Sequence, residues 1–304
     1  ASSIALLAQI NYDVSGLVGG DAVVLSTAGT YDTKHVGSSK TVTVDPLGIV
    51  SASANGGAVA VYGYQLAAGS TILTADIGVV TQATIDAVTG IVAADKTYDG
   101  TTSASLVSAS AGFTGKFADD VLTVDSATGV FASANAGAQG VNISGISLGG
   151  ADAGNYALLS TTASTTATIN RADLTLSTSA VSKTYDGTLS ALGTAVVAAG
   201  TLYNNASNGG ALDALSGGTF AFTNANAGAG NKTVTASGVT VNDGNTGGNY
   251  NVSYVANTVS TIDKAALTIG TSDVVKTYDG TVGAAGTAVV TGGTLFTNAS
   301  NDNT

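Results

Sequence analysis

The hexapeptide Lys-Thr-Tyr-Asp-Gly-Thr occurs three times, at residues 96–101, 183–188 and 276–281. Its tyrosines, Tyr98, Tyr185 and Tyr278, lie 87 and 93 residues apart. That period is too long for one turn of a solenoid and suits a small domain. The chain is therefore expected to fold as a series of similar modules rather than around one central site. Arrays of that kind hold, span or assemble more often than they catalyse.

The repeat runs well past the hexapeptide. Residues 288–301 restate residues 195–208 at an offset of 93, ending on Asn-Ala-Ser-Asn in both copies. Phe-Ala-Ser-Ala-Asn-Ala-Gly at 131–137 matches Phe-Thr-Asn-Ala-Asn-Ala-Gly at 222–228, and Tyr-Asp-Thr-Lys-His-Val-Gly at 31–37 is a diverged copy. A Lys-Thr-Val-Thr strand follows at 40–43 and 232–235, and Gly-Asn-Tyr recurs at 154–156 and 248–250. Each copy closes on Ala-Thr-Ile or Ser-Thr-Ile before Asp86, Asn170 and Asp263. These blocks set expected modules at 1–86, 87–170 and 171–263, with 264–304 opening a fourth. Module one departs from the pattern, because residues 54–64 replace its Asn-Tyr loop.

Taken in order, these blocks resemble the YDG/MBG-type modules of large bacterial surface proteins, including filamentous-haemagglutinin-like adhesins. The matching features are the hexapeptide, the Asp-Ala-Gly-Asn-Tyr loop at 152–156, the Ala-Thr-Ile-Asn strand at 167–170 and the Val-Ser-Gly-Leu-Val-Gly-Gly-Asp run at 14–21. The resemblance covers nearly the whole chain. It implies an extracellular or cell-surface, mostly-β module, and it brings no catalytic residues with it.

Composition points the same way independently. All 20 acidic residues are Asp, Arg171 is the sole arginine and Pro46 the sole proline. Thr, Val, Asn, Asp and Gly favour strands and turns over helices. Alternation is plain at 161–169, 173–177 and 232–236; residues 4–9 and 117–122 allow a single helical turn each. The expected fold is all-β, with tandem β-sandwich or β-grasp-like modules of about ninety residues in an elongated array. With no Trp, Met or Cys, the cores must come from Val, Ile, Leu, Ala and sparse aromatics.

A net charge of −11 excludes the cationic footprint that nucleic acid requires. No apolar run reaches the roughly twenty residues of a spanning helix, so no membrane insertion is expected in this segment. The search for chemistry returns little, and no enzyme is expected. A Ser-His-Asp triad would depend wholly on His35, read as a loop or surface histidine. Asp119 and Asp120 are read as a solvated loop pair.

The Tyr-Asp-Gly triplet is read structurally. Asp-Gly between extended runs favours a tight hairpin with positive φ at both central residues. Asp99-Gly100, Asp186-Gly187 and Asp279-Gly280 are expected at turns, with Tyr98, Tyr185 and Tyr278 largely buried. Lys96, Lys183 and Lys276 are read as snorkelling along strand edges, with isopeptide formation the alternative. No cofactor is required, although Asp99, Asp186 and Asp279 are the candidates should Ca²⁺ bind. Sequons at Asn142, Asn205 and Asn251 permit glycosylation.

Three functions fit. The leading one is a structural spacer or scaffold segment of a secreted or surface adhesin or fibre. The second is a filament subunit partnered by neighbouring copies: module one lacks an opening strand and residues 274–304 supply one, so natural ends would join copies head to tail by strand addition, whereas ends cut from a longer chain would be completed covalently by its neighbouring modules. The third is a glycan-binding array, with Tyr62 and Tyr64, expected on alternate positions of a strand, as the best aromatic pair for a host or surface glycan.

Overall fold

The computed structural model describes residues 4–300; residues 1–3 of the first expected module and 301–304 of the fourth lie outside the described residues. Strands dominate, and among the described residues there are short 3₁₀ turns but no α-helix. Residues 4–9 and 117–122 are not helical turns. Ile4–Leu6 is a strand, the 3₁₀ turn lies at Gln9–Asn11, and residues 117–122 carry only a turn at 118–119. At the first segment pairing decides: Ile4–Leu6 is held extended against Ala28–Thr30, so tertiary context overrides a helical propensity.

The chain packs as two compact units: residues 1–92 with 106–129 and 142–165, and residues 93–105 with 130–141 and 166–304. In the first, an antiparallel sheet runs Ile4–Leu6, Ala28–Tyr31, Gly37–Val44, Leu73–Val80. A second sheet runs Ala22–Leu25, Ile49–Ala54, Val59–Ala60. Leu25 from one and Val44 from the other meet Leu47 in a buried cluster, with Leu7, Tyr12 and Leu66 packed around it.

In the second unit a four-stranded sheet is ordered Ser182–Thr184, Asn257–Asp263, Gly228–Asn242, Ala214–Phe222. A three-stranded sheet is ordered Ala195–Ala199, Ala172–Thr178, Tyr250–Tyr254. Val181, Ala191, Phe222, Val234 and Ile262 form one buried cluster, and Leu174 and Leu176 of the three-stranded sheet are also fully buried. Alternation accounts for these: Val234, Ala236, Val239 and Val241 point inward along Gly228–Asn242 while their neighbours face out.

The four-stranded order repeats that of a five-stranded sheet: Lys96–Thr97, Ala163–Asn170, Gly137–Gly149, Thr123–Phe131, Ser103–Ala104. In both, the strand that opens with the hexapeptide pairs in parallel with the closing Thr-Ile strand, Lys96 opposite Ile169 and Lys183 opposite Ile262. This corrects the hairpin expected at Asp-Gly. Lys96–Thr97 and Ser103–Ala104, which flank Asp99-Gly100, sit at opposite edges of their sheet and do not pair with each other. The glycines do take positive φ, +76° at Gly100, +74° at Gly187 and +72° at Gly280, but the aspartates before them do not. The turn is a bend that carries the chain from one sheet edge to the other.

Candidate functional site: a repeated joint between modules

Each hexapeptide is locked by its own lysine. Lys96 Nζ lies 2.7 Å from Asp99 Oδ1 and donates to the Thr101 carbonyl (2.8 Å) and hydroxyl (2.9 Å). Lys183 makes the same contacts with Asp186 and Thr188, and Lys276 with Asp279 and Thr281. The same carboxylate oxygen accepts the threonine N–H two residues on, as in an Asx turn. The ammonium also stands over the ring of Phe131 or Phe222, 5.5 and 5.4 Å from the centroid. Hydrogen bonds from Lys183 and Thr188 hold the Asp186 carboxyl down at about 2. Asp279 is lowered by the same kind of contacts. At Asp99 burial pushes upward, and Lys96 and Thr101 outweigh it. The lysines are therefore clamps within the turn rather than edge-snorkelling side chains. The three Asp Oδ1 atoms put forward for Ca²⁺ each already face an ammonium.

The locked turn meets the following module. Tyr98 is buried edge-on against Tyr203 and Tyr250, with centroids 5.7 and 5.3 Å away. The Gly100 carbonyl accepts the Ala206 N–H at 2.8 Å, and a Cβ at Gly100 would run into the Asn204 carbonyl oxygen. The next copy repeats this geometry. Tyr185 stands edge-on to Phe296 at 6.0 Å, Gly187 O accepts the Ala299 N–H at 2.8 Å, and a Cβ on Gly187 would strike the Thr297 carbonyl. Tyr98 is buried as expected, but Tyr185 is only half-buried and Tyr278 is 93% exposed. Burial of the tyrosine thus comes from the neighbour that covers it as well as from its own sheet.

The Ala-Asn-Ala loop forms the second half of the joint. Ala134 N donates to Ser207 Oγ (2.7 Å), Ala136 N to Asn249 Oδ1 (2.8 Å), and Asn205 Nδ2 to Asn135 Oδ1 (3.0 Å). One repeat later Ala225 N donates to Ser300 Oγ at 2.6 Å, and Asn298 Nδ2 to Asn226 Oδ1 at 2.5 Å. The diverged loop of module one keeps part of the pattern: Val36 N donates to Asn155 Oδ1 at 3.0 Å, and His35 Nδ1 lies 3.1 Å from Asn155 Nδ2. His35 is exposed, in a loop, as expected.

A tyrosine–aspartate pair braces the receiving side. Tyr250 OH donates to Asp213 Oδ2 (2.6 Å) and accepts the Tyr203 N–H (3.1 Å); Tyr156 does the same with Asp120 (2.6 Å) and Phe117 (3.1 Å). Module one keeps it too, through Tyr64, Asp21 (2.7 Å) and Val18 (2.8 Å). Burial, then the hydrogen bond to Asp213, pushes the Tyr98 and Tyr250 hydroxyls well above the usual phenol range. Two expectations change here. Asp120 is not a solvated loop residue but 5% exposed, 2.5 Å from Lys34 Nζ. Tyr62 and Tyr64 do not alternate on a strand: residues 61–67 are irregular, Tyr62 is 95% exposed and Tyr64 turns to Asp21. Of the sequons, Asn142 and Asn251 are exposed, whereas Asn205 is wholly buried in the joint.

Residue-by-residue reading missed Asp120, Asp213, Asn135, Asn205 and Asn249 as a set. The signal was present in the Ala-Asn-Ala, Asn-Ala-Ser-Asn and Gly-Asn-Tyr blocks, polar residues repeated at fixed offsets without any periodic role in a strand. Among the described residues no three His, Cys, Asp or Glu side chains converge in a metal-type group.

These features define a tandem all-β repeat whose motifs build joints. The YDG domain model matches residues 2–70, 81–167 and 170–258, and the chain belongs to the YDG domain family. Neither the curated proteins nor the solved structures gave a match.

Proposed function

We propose that this chain is a structural repeat segment of a secreted or cell-surface bacterial protein, an adhesin or extracellular fibre, in which it serves as spacer and scaffold. One observation carries the reading: the hexapeptide turn and Ala-Asn-Ala loop of one module grip the Asn-Ala-Ser segment of the next, twice, with the same hydrogen bonds. Residues repeated most faithfully are thus spent on holding neighbours, and the partners are further modules of the same kind. An acidic, cysteine-free surface suits the extracellular location. The test is antibody labelling of intact cells that make the parent protein, viewed by electron microscopy. Label on unopened cells or on shed material is expected; label only after lysis would overturn the location and with it the spacer role.

A further inference from the structure

Tyr98 and Tyr185 occupy a repeated seat. Each backbone N–H donates at 2.8 Å to the carbonyl of the last residue of a closing strand, Asn170 or Asp263. The hexapeptide strand lies along that strand's edge, Thr97 opposite Asn170 and Thr184 opposite Asp263. At Tyr98 the ring is edge-on to Tyr203 and Tyr250, and its hydroxyl donates to Asp213 Oδ2 at 2.9 Å. The same seat recurs one repeat earlier, and among the described residues no hexapeptide tyrosine fills it. Pairing locates it: Ala83 lies opposite Tyr156 as Ala172 lies opposite Tyr250, which makes Thr81 the counterpart of Asn170. Phe117, Tyr156 and Asp120 stand where Tyr203, Tyr250 and Asp213 do, because the Tyr156 hydroxyl accepts the Phe117 N–H and donates to Asp120 Oδ2.

Thr81, Phe117, Asp120 and Tyr156 together line one cavity of about 310 Å³. Beside it, Leu73–Val80 is an outer strand of its sheet among the described residues, whereas the closing strands of the next two sheets each carry a hexapeptide strand on that side. The third hexapeptide is the converse, a key without a seat. Its clamp is formed, with Lys276 Nζ 2.8 Å from Asp279 Oδ1 and from the Thr281 carbonyl. Yet Lys276 and Thr277 belong to no strand, Val275 and Tyr278 are 94% and 93% exposed, and Gly280 faces open space. An open sheet edge with a lined cavity invites an added strand, and here the matching strand lies exposed in the same sequence.

We propose that the cavity receives Tyr278 of a second copy of this chain, whose Lys276-Thr277 segment adds in parallel to the Leu73–Val80 edge. The register follows from the two filled seats: Lys276 opposite Val80 and Thr277 opposite Thr81. The Tyr278 N–H then donates to the Thr81 carbonyl, its ring stands edge-on to Phe117 and Tyr156, and its hydroxyl donates to Asp120 Oδ2. Seat and key are different surfaces, so the contact is heterologous and each copy can both give and receive.

The proposal rests on the reading that the partners are further modules of this kind. Its test uses the purified full chain, so a failure here leaves the cell-labelling result to stand or fall separately. Sedimentation equilibrium from micromolar to millimolar chain is expected to show a mass climbing above the 29.2 kDa of one copy. Contact through a single turn is small, so the rise is expected toward the millimolar end. Tyr278→Ala alters an exposed side chain and should give one copy's mass throughout. Tyr278→Phe keeps the ring, loses the bond to Asp120 and should fall between. The chain has no cysteine, so position can be read directly. Under mild oxidation, a Thr81→Cys chain mixed with a Thr277→Cys chain should give a mixed disulfide dimer several-fold more abundant than the dimer of either chain alone. A monomer at every concentration, association unchanged in Tyr278→Ala, or a mixed dimer no more abundant than the self dimers overturns the proposal.

Discussion

Gly100, Gly187 and Gly280 separate what a turn needs from what a joint needs. All three have φ near +75°, so any side chain there is strained. Around Gly280 nothing lies within 4 Å of a built Cβ, whereas at Gly100 and Gly187 the Cβ meets a carbonyl oxygen of the next module. Gly280→Ala should therefore cost about 1 kcal/mol, the backbone term alone. Gly100→Ala should cost more than about 2 kcal/mol, since a joint must open as well. Urea unfolding of the two variants checks this; equal losses would mean that the joint contributes nothing at Gly100. The sequence showed the glycine requirement, because Asp-Gly is a turn signal by itself. It showed that Tyr98 would be buried, but not that Tyr203 and Tyr250, more than a hundred residues away, would cover it.

At the scale of elements, alternation was enough to locate the strands. Residues 161–169, 173–177 and 232–236 fall largely within Ala163–Asn170, Ala172–Thr178 and Gly228–Asn242. Pairing was another matter. Asp-Gly suggested that its flanking strands meet, yet Lys96–Thr97 pairs with the distant closing strand, and local sequence carries no information about that choice. What replaces hairpin hydrogen bonds at the turn is the lysine clamp, and it has an acid signature. Asp186 titrates at about 2 when folded, against an ordinary value of 3.8. A depressed carboxyl contributes stability that is fully present above its unfolded value and is lost as pH falls through the folded one. Stability should therefore hold down to about pH 4 and decline between about pH 4 and pH 2. Asp186→Asn should flatten part of that decline, with Asp99 and Asp279, shifted in the same direction, supplying the rest. Urea midpoints measured from pH 6 to pH 2 decide it; a wild-type slope unchanged in the variant would remove the clamp from the account.

The joint at Lys34 shows a second solution to the same packing problem. Its counterpart position is alanine in the next two copies, and the lysine neutralises the buried Asp120 directly. Lys34→Met keeps the aliphatic stem and removes the charge, leaving Asp120 without its ammonium. Faster amide exchange is expected at Val121, whose N–H is held by Asp152 Oδ2, and at Phe117, held by the Tyr156 hydroxyl. Exchange at Val239 and Val241 should not change. A uniform rise at all four amides would indicate general destabilisation instead of a local joint.

At the scale of the whole molecule, the sequence repeat and the packing units are different objects. All the dividing lines between the two compact units fall inside residues 87–170, a single repeat by sequence. Joints explain why: each module shares hydrogen bonds with its successor, so a repeat boundary is not a packing boundary. Sequence could count the modules because motifs recur; it could not show their docking, because the docking residues are ordinary Asn, Ser and Ala whose roles exist only across a boundary. The joint therefore makes a quantitative prediction about coupling. Asn135 Oδ1 accepts from Asn205 Nδ2 at 3.0 Å and from Asn249 Nδ2 at 3.3 Å, so one carbonyl from the earlier module satisfies two buried amides of the later one. Asn135→Ala leaves each of these amides only its bond to the Asp243 carbonyl and should cost about 1–3 kcal/mol. Asn249→Ala should cost a similar amount, because it also removes the acceptor for Ala136 N–H. If the modules are truly docked, the double variant loses less than the sum, by about 0.5–3 kcal/mol. Additivity within about 0.3 kcal/mol would mean that the two residues act in separate domains and that the joint is not an energetic unit.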